Sequence, residues 1–220
     1  MKTACVIQAR LRSTRLPGKI LLPLPTGRTV LEEVIYRCRE ARRVHQVVVA
    51  MPDTEDSELL TPFTAGATIV YGPEHDVLAR YYMAAASVGA DVIVRVTSDC
   101  PAMPSAMIDA VIARRATHAL AYACNNMPRT FPLGYDCEAF TMNALRWHAE
   151  HSWDESSREH VTTALRSSVD GAHEVNEACP GGEDHSHLRW TLDTIDDYVR
   201  ICRAFEAARG ASNLLDVVRG

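Results

Sequence analysis

Short apolar runs alternate with longer segments of helical periodicity along the first half of the chain. The runs are continuous and rich in β-branched residues, which is typical of strands buried on both faces of a parallel sheet. They predict strands over residues 4–7, 46–50, 67–71, 91–97 and 118–124. Apolar positions spaced three or four residues apart predict helices over 29–43, 57–64, 76–88 and 104–117. This alternation predicts an α/β, Rossmann-like fold with a mostly parallel central sheet and helices on both faces.

The pattern is less regular after residue 125. It predicts strands over 134–140, 172–176 and 188–192, and helices over 142–151, 156–167 and 195–209. No Gly-x-Gly-x-x-Gly motif follows the first strand, which argues against a dinucleotide-binding fold of that type.

A loop rich in cations follows the first strand directly. It holds four of them within ten residues, at Arg10, Arg12, Arg15 and Lys19. The carboxyl ends of parallel strands are where open α/β sheets bind ligands, and a mixture of arginine forks and a lysine charge suits phosphate oxygens. The loop therefore predicts a polyphosphate site, although a solvated surface loop has the same composition. It is not a P-loop, because Ser13 and Ile20 stand where that motif needs Gly and Ser or Thr.

Two carboxylates follow predicted strands, Asp99 after 91–97 and Asp193 after 188–192. In a parallel sheet, Asp99 would share an edge with the cationic loop. Carboxylates beside a polyphosphate site are the ligands that Mg²⁺ prefers, together with water and phosphate oxygens. The alternative is structural, with Asp99 in a turn and Asp193 capping the last helix. We predict that Asp99 and Asp193 hold a metal.

Composition narrows the classes of partner. The net charge is −5, and the cations gather in one loop instead of a long track, so we do not expect nucleic-acid binding. No apolar run approaches the ~20 residues of a membrane span, and no leader pattern opens the chain. The seven cysteines are scattered without C-x-x-C spacing, which favours a reducing cytoplasm over a disulfide framework.

Six stretches resemble one known family, in the same order along the chain. They are IQARLRSTRLPGK (7–19), DVLARYY (76–82), RVTSDCP (95–101), PRTFPLGYD (128–136), REHVT (158–162) and HLRWTLD (187–193). The first looks like the signature of the spore-coat-polysaccharide type of cytidylyltransferase, which is related to CMP-deoxy-manno-octulosonate and CMP-sialate synthetases. Two positions depart from that pattern, because Arg12 and Ser98 stand where the family has mostly glycine.

The resemblance implies a glycosyltransferase-A-like nucleotidyltransferase fold, a homodimer, and the use of CTP with Mg²⁺. The reaction would transfer CMP to a small acceptor, such as a sugar acid or a related carboxylate, hydroxyl or phosphonate, and release pyrophosphate. The catalytic residues carried over are Lys19, Arg10, Arg15 and Asp99. The nucleotide-binding set is Gln8, Ala9, Arg10, Leu11, Arg12, Ser13, Thr14, Arg15, Lys19, Asp76, Arg80, Thr97 and Ser98, with Asp76 and Arg80 near the base or ribose.

The second half of the chain is expected to supply the acceptor site. Our candidates there are Arg129, Asp136, Glu138, Glu159 and His160. We interpret the 220 residues as a single domain, with a nucleotide-binding half (1–125), a substrate and dimerisation lobe (126–186) and a returning strand and closing helix (187–220). Two alternatives stay open at this point, namely a nucleotidyltransferase of the same fold that uses another nucleotide and a non-catalytic nucleotide-binding module.

Overall fold

Six strands form one sheet in a computed structural model that describes residues 1–167 and 182–208. The strand order is β3-β2-β1-β4-β6-β5. The strands are β1 (Thr3–Gln8), β2 (Gln46–Pro52), β3 (Thr68–Gly72), β4 (Val92–Thr97), β5 (Tyr122–Cys124) and β6 (Glu138–Thr141). The helices are α1 (Val30–Glu40), α2 (Val77–Ser87), α3 (Ser105–Thr117), α4 (Met142–His151), α5 (Glu155–His160), α6 (Thr163–Ser167) and α7 (Ile195–Ala208), with 3₁₀ turns at Lys19–Leu21 and Glu55–Phe63.

The centre of the sheet is parallel, as the continuous apolar runs predict. β1 pairs in parallel with β2 and β4, so that Ile7 lies opposite Val49 and Val96. β3 pairs in parallel with β2, whereas β6 runs antiparallel to both β4 and β5. The prediction of a mostly parallel α/β sheet is therefore confirmed.

Alternate residues of the central strands pack into two hydrophobic cores, one on each face of the sheet. On one face Ile7, Val49 and Val96 pack with α1, α3 and α7, and on the other Val6 and Val48 pack with α2, α4 and α6. Burial of both faces explains why these strands contain almost no polar positions. The carboxyl ends of β1 to β4 are left as an open edge between the two helical layers.

Several helix boundaries follow from capping side chains. Thr29 and Glu32 form a reciprocal capping box at the start of α1. The Asp76 carboxylate accepts a hydrogen bond from Ala79 N at 2.9 Å and caps α2. These caps place both helices within a residue or two of their predicted starts.

Three predictions about the second half differ from the structure. Residues 188–192 form an irregular segment with one parallel bridge, between Arg189 and Leu133, because only a loop lies beside them. The helix predicted over 156–167 is two short helices, since Val161 adopts a φ of 58° between them. The strand predicted over 134–140 is limited to β6, and it joins the main sheet. The strand predicted over 172–176 lies outside the described residues.

In the described part of the chain, none of the helices has both the length and the apolar character required to span a bilayer. Six cysteines fall within these residues, and all six are free thiols.

Candidate active site

A cavity of about 190 Å³ opens at the carboxyl edge of the parallel strands. Its walls come from the loop after β1, the ends of β1 and β4, the start of α2, and single residues of α5 and the segment before α7. Four basic and four acidic side chains line it. The full lining is Gln8, Ala9, Arg10, Ser13, Thr14, Arg15, Lys19, Ile20, Glu74, Val77, Arg80, Thr97, Ser98, Asp99, Glu159 and Asp193.

The loop after β1 is closed by its own backbone. Gly18 N donates to Leu11 O at 3.0 Å, and Gly18 has a φ of 70°, which a residue without Cβ adopts at little cost. Lys19 then begins a 3₁₀ turn whose Ile20 is buried in the core. The loop is thereby anchored at Lys19, while Arg10 is exposed and has no side-chain partner among the described residues.

The Lys19 ammonium joins two carboxylates across the cavity. Its Nζ lies 2.6 Å from Asp99 Oδ2, 2.9 Å from Asp193 Oδ1 and 2.7 Å from the Leu192 carbonyl oxygen. Lys19 is 11% exposed, so these contacts are shielded from bulk water. The turn after β4 and the segment before α7 therefore meet at one positive charge, which the loop after β1 supplies.

Asp193 is surrounded by cations. Arg15 Nη2 donates to its Oδ1 at 2.7 Å and Arg189 Nη2 to its Oδ2 at 2.6 Å, in addition to Lys19. Burial raises the pKa of Asp193, but the hydrogen bond and charge of Lys19 and the two arginines outweigh it, so the net pKa lies below its ordinary value. The carboxylate is held ionised toward the cavity.

The capping role considered for Asp193 belongs to its neighbour. Thr194 Oγ1 accepts from Asp197 N at 3.3 Å, and Asp197 Oδ2 accepts from Thr194 N at 3.0 Å, which together cap α7. The Asp193 side chain is consequently not used by the helix. Asp99 is similarly available, because the turn after β4 is closed by a Cys100 N to Thr97 O bond.

The residues present fit a divalent cation. Asp99 and Asp193 both contact one ammonium, which shows that a single positive charge between the two carboxylates is accommodated. Oxygen ligands of this kind suit a hard cation such as Mg²⁺. Within residues 1–167 and 182–208, three or more His, Cys, Asp or Glu side chains do not cluster as a metal centre, so any metal here would depend on ligand oxygens and water as well.

Arg12 is the clearest departure from the predicted nucleotide-binding set. Its Nε donates to Asp56 Oδ2 at 2.8 Å, its side chain is 72% exposed, and it does not line the cavity. The pKa of Asp56 lies below its usual value because of hydrogen bonds from Thr54 and Arg12. Leu11, which packs against the core, is also outside the lining.

Arg80 and Asp76 have separate roles at the start of α2. Arg80, predicted near the base or ribose, lines the cavity and is 2% exposed. Asp76 does not line it; beyond capping α2, its carboxylate accepts from Arg158 Nη1 at 3.1 Å, which ties α5 to α2.

Glu138 does not fit the acceptor site predicted for it. It is 1% exposed, and its carboxylate accepts from Arg95 Nη1 at 2.8 Å, Tyr122 OH at 2.6 Å and Arg166 Nε at 2.9 Å. Burial raises the pKa of Glu138, but the charges of Arg95 and Arg166 outweigh it and keep the net pKa low. Arg95 Nη2 also donates to Gln8 Oε1 at 3.4 Å. Glu138 therefore holds Arg95, which contacts the lining residue Gln8, and it does not face the cavity itself.

The other acceptor candidates divide into two groups. Glu159 lines the cavity, whereas His160 is exposed outside it. Arg129 and Asp136 lie outside the lining and pair with each other through two hydrogen bonds, while Asn126 Nδ2 and Gly134 N also donate to Asp136. Burial raises the pKa of Asp136, and these donors bring the net pKa below its usual value.

Glu74, Val77 and Ile20 line the cavity but were not predicted. Glu74 follows Gly72-Pro73 directly after β3, at the same sheet edge as Asp99. Its position after a parallel strand is a signal that could have found it.

Comparison with known proteins gives one consistent class. The chain is 28% identical to the spore coat polysaccharide biosynthesis protein SpsF of Bacillus subtilis, over 92% of this chain and 86% of that protein. It resembles the structure of a cytidylyltransferase from Leptospira borgpetersenii with a TM-score of 0.87 and 28% identity, over 100% of this chain and 93% of that one. A CMP-2-keto-3-deoxy-manno-octonic acid synthetase complexed with CTP shares the fold, with a TM-score of 0.69 and 17% identity over 94% of this chain and 99% of that one.

These likenesses define an α/β protein with the Rossmann-like fold of nucleotidyltransferases. The sequence pattern of the cytidylyltransferase family matches residues 4–166, and the chain belongs to that family. The matched range includes Asp99 and ends before Asp193.

Proposed function

We propose that the protein transfers CMP from CTP to a small acceptor and releases pyrophosphate. The observation that carries the proposal is the convergence of Arg10, Arg15 and Lys19 with Asp99 and Asp193 in one cavity at the carboxyl edge of the sheet. Binding of a triphosphate needs several positive charges, and transfer of the nucleotide from it also needs carboxylates to hold a metal. A non-catalytic binder would need the first group alone.

The cations would act on the triphosphate by charge and position. An oxygen of the acceptor attacks the α-phosphorus in line and forms a bond to it, while the bond from the α-phosphorus to the oxygen that bridges the α- and β-phosphates breaks. Pyrophosphate leaves with the electron pair of that bond, and an acceptor hydroxyl gives its proton to water. Arg10, whose side chain has no partner among the described residues, would bind a phosphate, and Lys19, whose Nζ lies 2.6 Å from Asp99, would supply a second positive charge. Such chemistry needs little covalent help from the protein and depends on positioning and charge neutralisation.

Asp99 and Asp193 would hold Mg²⁺. When bound, the metal supplies neutralisation of the charge on the phosphate oxygens. Because Asp193 already contacts three cations, Asp99 is the carboxylate with more capacity to coordinate. We expect Asp99→Asn to weaken Mn²⁺ binding measured by electron paramagnetic resonance in the presence of CTP, and unchanged Mn²⁺ binding would contradict this assignment.

The acceptor would enter beside the α-phosphate. Glu159 is the acceptor candidate that lines the cavity, so we retain it as the first choice. Arg129 and Asp136 fit a structural pair better than a direct contact, because each already satisfies the other. A sugar acid or a related small carboxylate, hydroxyl or phosphonate is the acceptor class that we propose. Formation of a homodimer through residues 126–186 and a cytoplasmic location belong to the same proposal.

Pyrophosphate release tests the function directly. Each of the four ribonucleoside triphosphates, with Mg²⁺, is offered with a panel of sugar acids, amino sugars and phosphonates. We expect release with CTP and one acceptor class. Equal release with all four nucleotides would reject the cytidine preference. The Lys19→Met variant should lose the activity and the matched Lys2→Met variant should keep it, because Lys2 lies outside the cavity.

A further inference from the structure

The order of the strands separates two ends of the cavity. Asp99 follows β4, and Glu74 follows β3, with β1 and β2 between these strands. Three inter-strand spacings of ~4.8 Å put the two loops about 14 Å apart. The cationic loop after β1 is one strand from Asp99 and two strands from Glu74, so the phosphates would bind toward the Asp99 end of the cavity. Beyond this loop, the described lining comes from Glu74, Val77, Arg80 and Glu159, so a nucleoside attached to the phosphates extends toward the start of α2.

The Arg80 guanidinium is buried but only partly used by the protein. Nη1 donates to Pro73 O at 2.6 Å and to Glu74 O at 3.3 Å. Nε is buried without a partner, and for Nη2 we find no acceptor in the part of the chain that the structure describes. A guanidinium that is 2% exposed, lines a cavity and has spare donors is suited to a ligand oxygen or ring nitrogen. Its contacts to Pro73 and Glu74 also fix the backbone on which the Glu74 side chain stands.

Glu74 provides the complementary acceptor. Its side chain is 40% exposed, and His75 Nε2 lies 3.9 Å from its carboxylate, beyond hydrogen-bond distance. No donor to the Glu74 carboxylate occurs among the described side chains. Val77, on the first turn of α2, adds an apolar wall that is 8% exposed. This corner therefore offers one donor group, one free acceptor and an apolar surface for a planar ring.

This arrangement matches one edge of cytosine. Cytosine presents an exocyclic amine that donates, next to a ring nitrogen and a carbonyl oxygen that accept. Uracil presents a carbonyl oxygen in place of the amine, and this oxygen would face the Glu74 carboxylate without a proton between them. The Arg80 guanidinium would contact the carbonyl that both bases share. Discrimination would thus depend on Glu74, and anchoring on Arg80.

We infer that Glu74 selects the nucleotide base, by accepting a hydrogen bond from the exocyclic amine of cytosine while Arg80 donates to the acceptors beside it. The inference rests on the proposed function, since it names the residue that sets the base preference of the same site. It adds a specificity-determining residue that lies outside the stretches by which the chain resembles its family.

The test is the ratio of the dissociation constants for UTP and CTP, measured by isothermal titration calorimetry without acceptor. The ratio is compared between the unmodified protein, Glu74→Gln and Glu74→Ala. Loss of a negative charge near a triphosphate raises the affinity for both nucleotides alike, and the ratio removes this common effect. A specific base contact is worth ~1–3 kcal/mol of discrimination, so we expect the ratio to fall roughly 5- to 150-fold in both variants. Glu150→Gln is the matched control, because Glu150 is exposed on α4 outside the cavity and its ratio should not change.

A ratio that stays within about twofold of the unmodified protein in both Glu74 variants overturns the inference and leaves the proposed function intact. A ratio near one in the unmodified protein overturns the cytidine preference itself and this inference with it. A fall in the ratio for Glu74→Gln and Glu74→Ala, but not for Glu150→Gln, supports the inference.

Discussion

Replacement of Glu138 by glutamine tests whether this residue stabilises the fold or contacts the substrate. The variant keeps the shape of the side chain and removes its charge. Two guanidiniums, of Arg95 and Arg166, then lack a counter-charge in a site where the carboxylate is 1% exposed. Loss of one partner from a buried ion pair costs ~3–5 kcal/mol. Because Arg166 is 33% exposed and water can compensate it in part, we expect the lower end, about 3 kcal/mol.

The magnitude can be measured by thermal unfolding. For a chain of this length 1 kcal/mol corresponds to roughly 2–4 °C, so the Tm should fall by about 6–12 °C. Differential scanning calorimetry on the unmodified protein, Glu138→Gln and the exposed control Glu150→Gln gives the comparison. A Tm for Glu138→Gln equal to that of the control would refute the reasoning. If the KM for the acceptor rose while the Tm did not change, Glu138 would be a substrate contact after all.

Three further predictions concern pH, the phosphate end and the exposed loop. Because the pKa of Glu138 is held below its ordinary value of 4.5, its stabilisation is complete above pH 4.5 and is lost as the pH falls through the lowered pKa, so the Tm difference between the unmodified protein and Glu138→Gln should shrink as the pH falls below 4.5; a constant difference would contradict this. We expect Lys19→Met to lower kcat/KM for CTP by about 10²–10³ in steady-state assays, with Lys2→Met unchanged, and equal effects would reject the phosphate site. Arg12→Ala should leave the Kd for CTP within about twofold in calorimetry, because Arg12 points to Asp56, and a tenfold loss would show that it contacts the nucleotide.

The parallel half of the fold was predictable because its signals are local. The strands at 46–50 and 91–97 are rich in β-branched residues, with Arg95 as an interruption of the second, and burial on both faces of a parallel sheet favours such runs. The carboxyl edge of such a sheet is one line, so the cationic loop and Asp99 could be placed together before the structure was known. The start of α2 was also predictable, because Asp76 is a residue type that caps helices and stands directly before an apolar repeat.

The rest depends on partners that are distant in sequence. Arg12 points away from the cavity because Asp56, on a 3₁₀ turn 44 residues further along, accepts a hydrogen bond from its Nε. Glu138 is buried because Arg95 and Arg166 come from two other elements, and its own neighbourhood in the sequence gives no sign of them. The run 188–192 has the composition of a strand, but only one bridge forms, to Leu133. Composition alone cannot distinguish a strand from a segment that packs beside a loop.

Gly134 links two distant parts of the chain without contributing a side chain. It has a φ of 102°, and a Cβ there would lie 2.5 Å from Thr191 N and 2.6 Å from Trp190 C. At this crossing Leu133 N donates to Leu188 O, and Trp190 N donates to Leu133 O. Two residues beyond Trp190, Leu192 N donates to Asp99 O. Any side chain at position 134 would therefore push the segment that carries Asp193 off its position. The distance between Asp99 and Asp193 therefore depends on a close contact between two backbone segments. The addition of a single methyl group at position 134, in a loop outside the cavity, would change the arrangement of charges inside it.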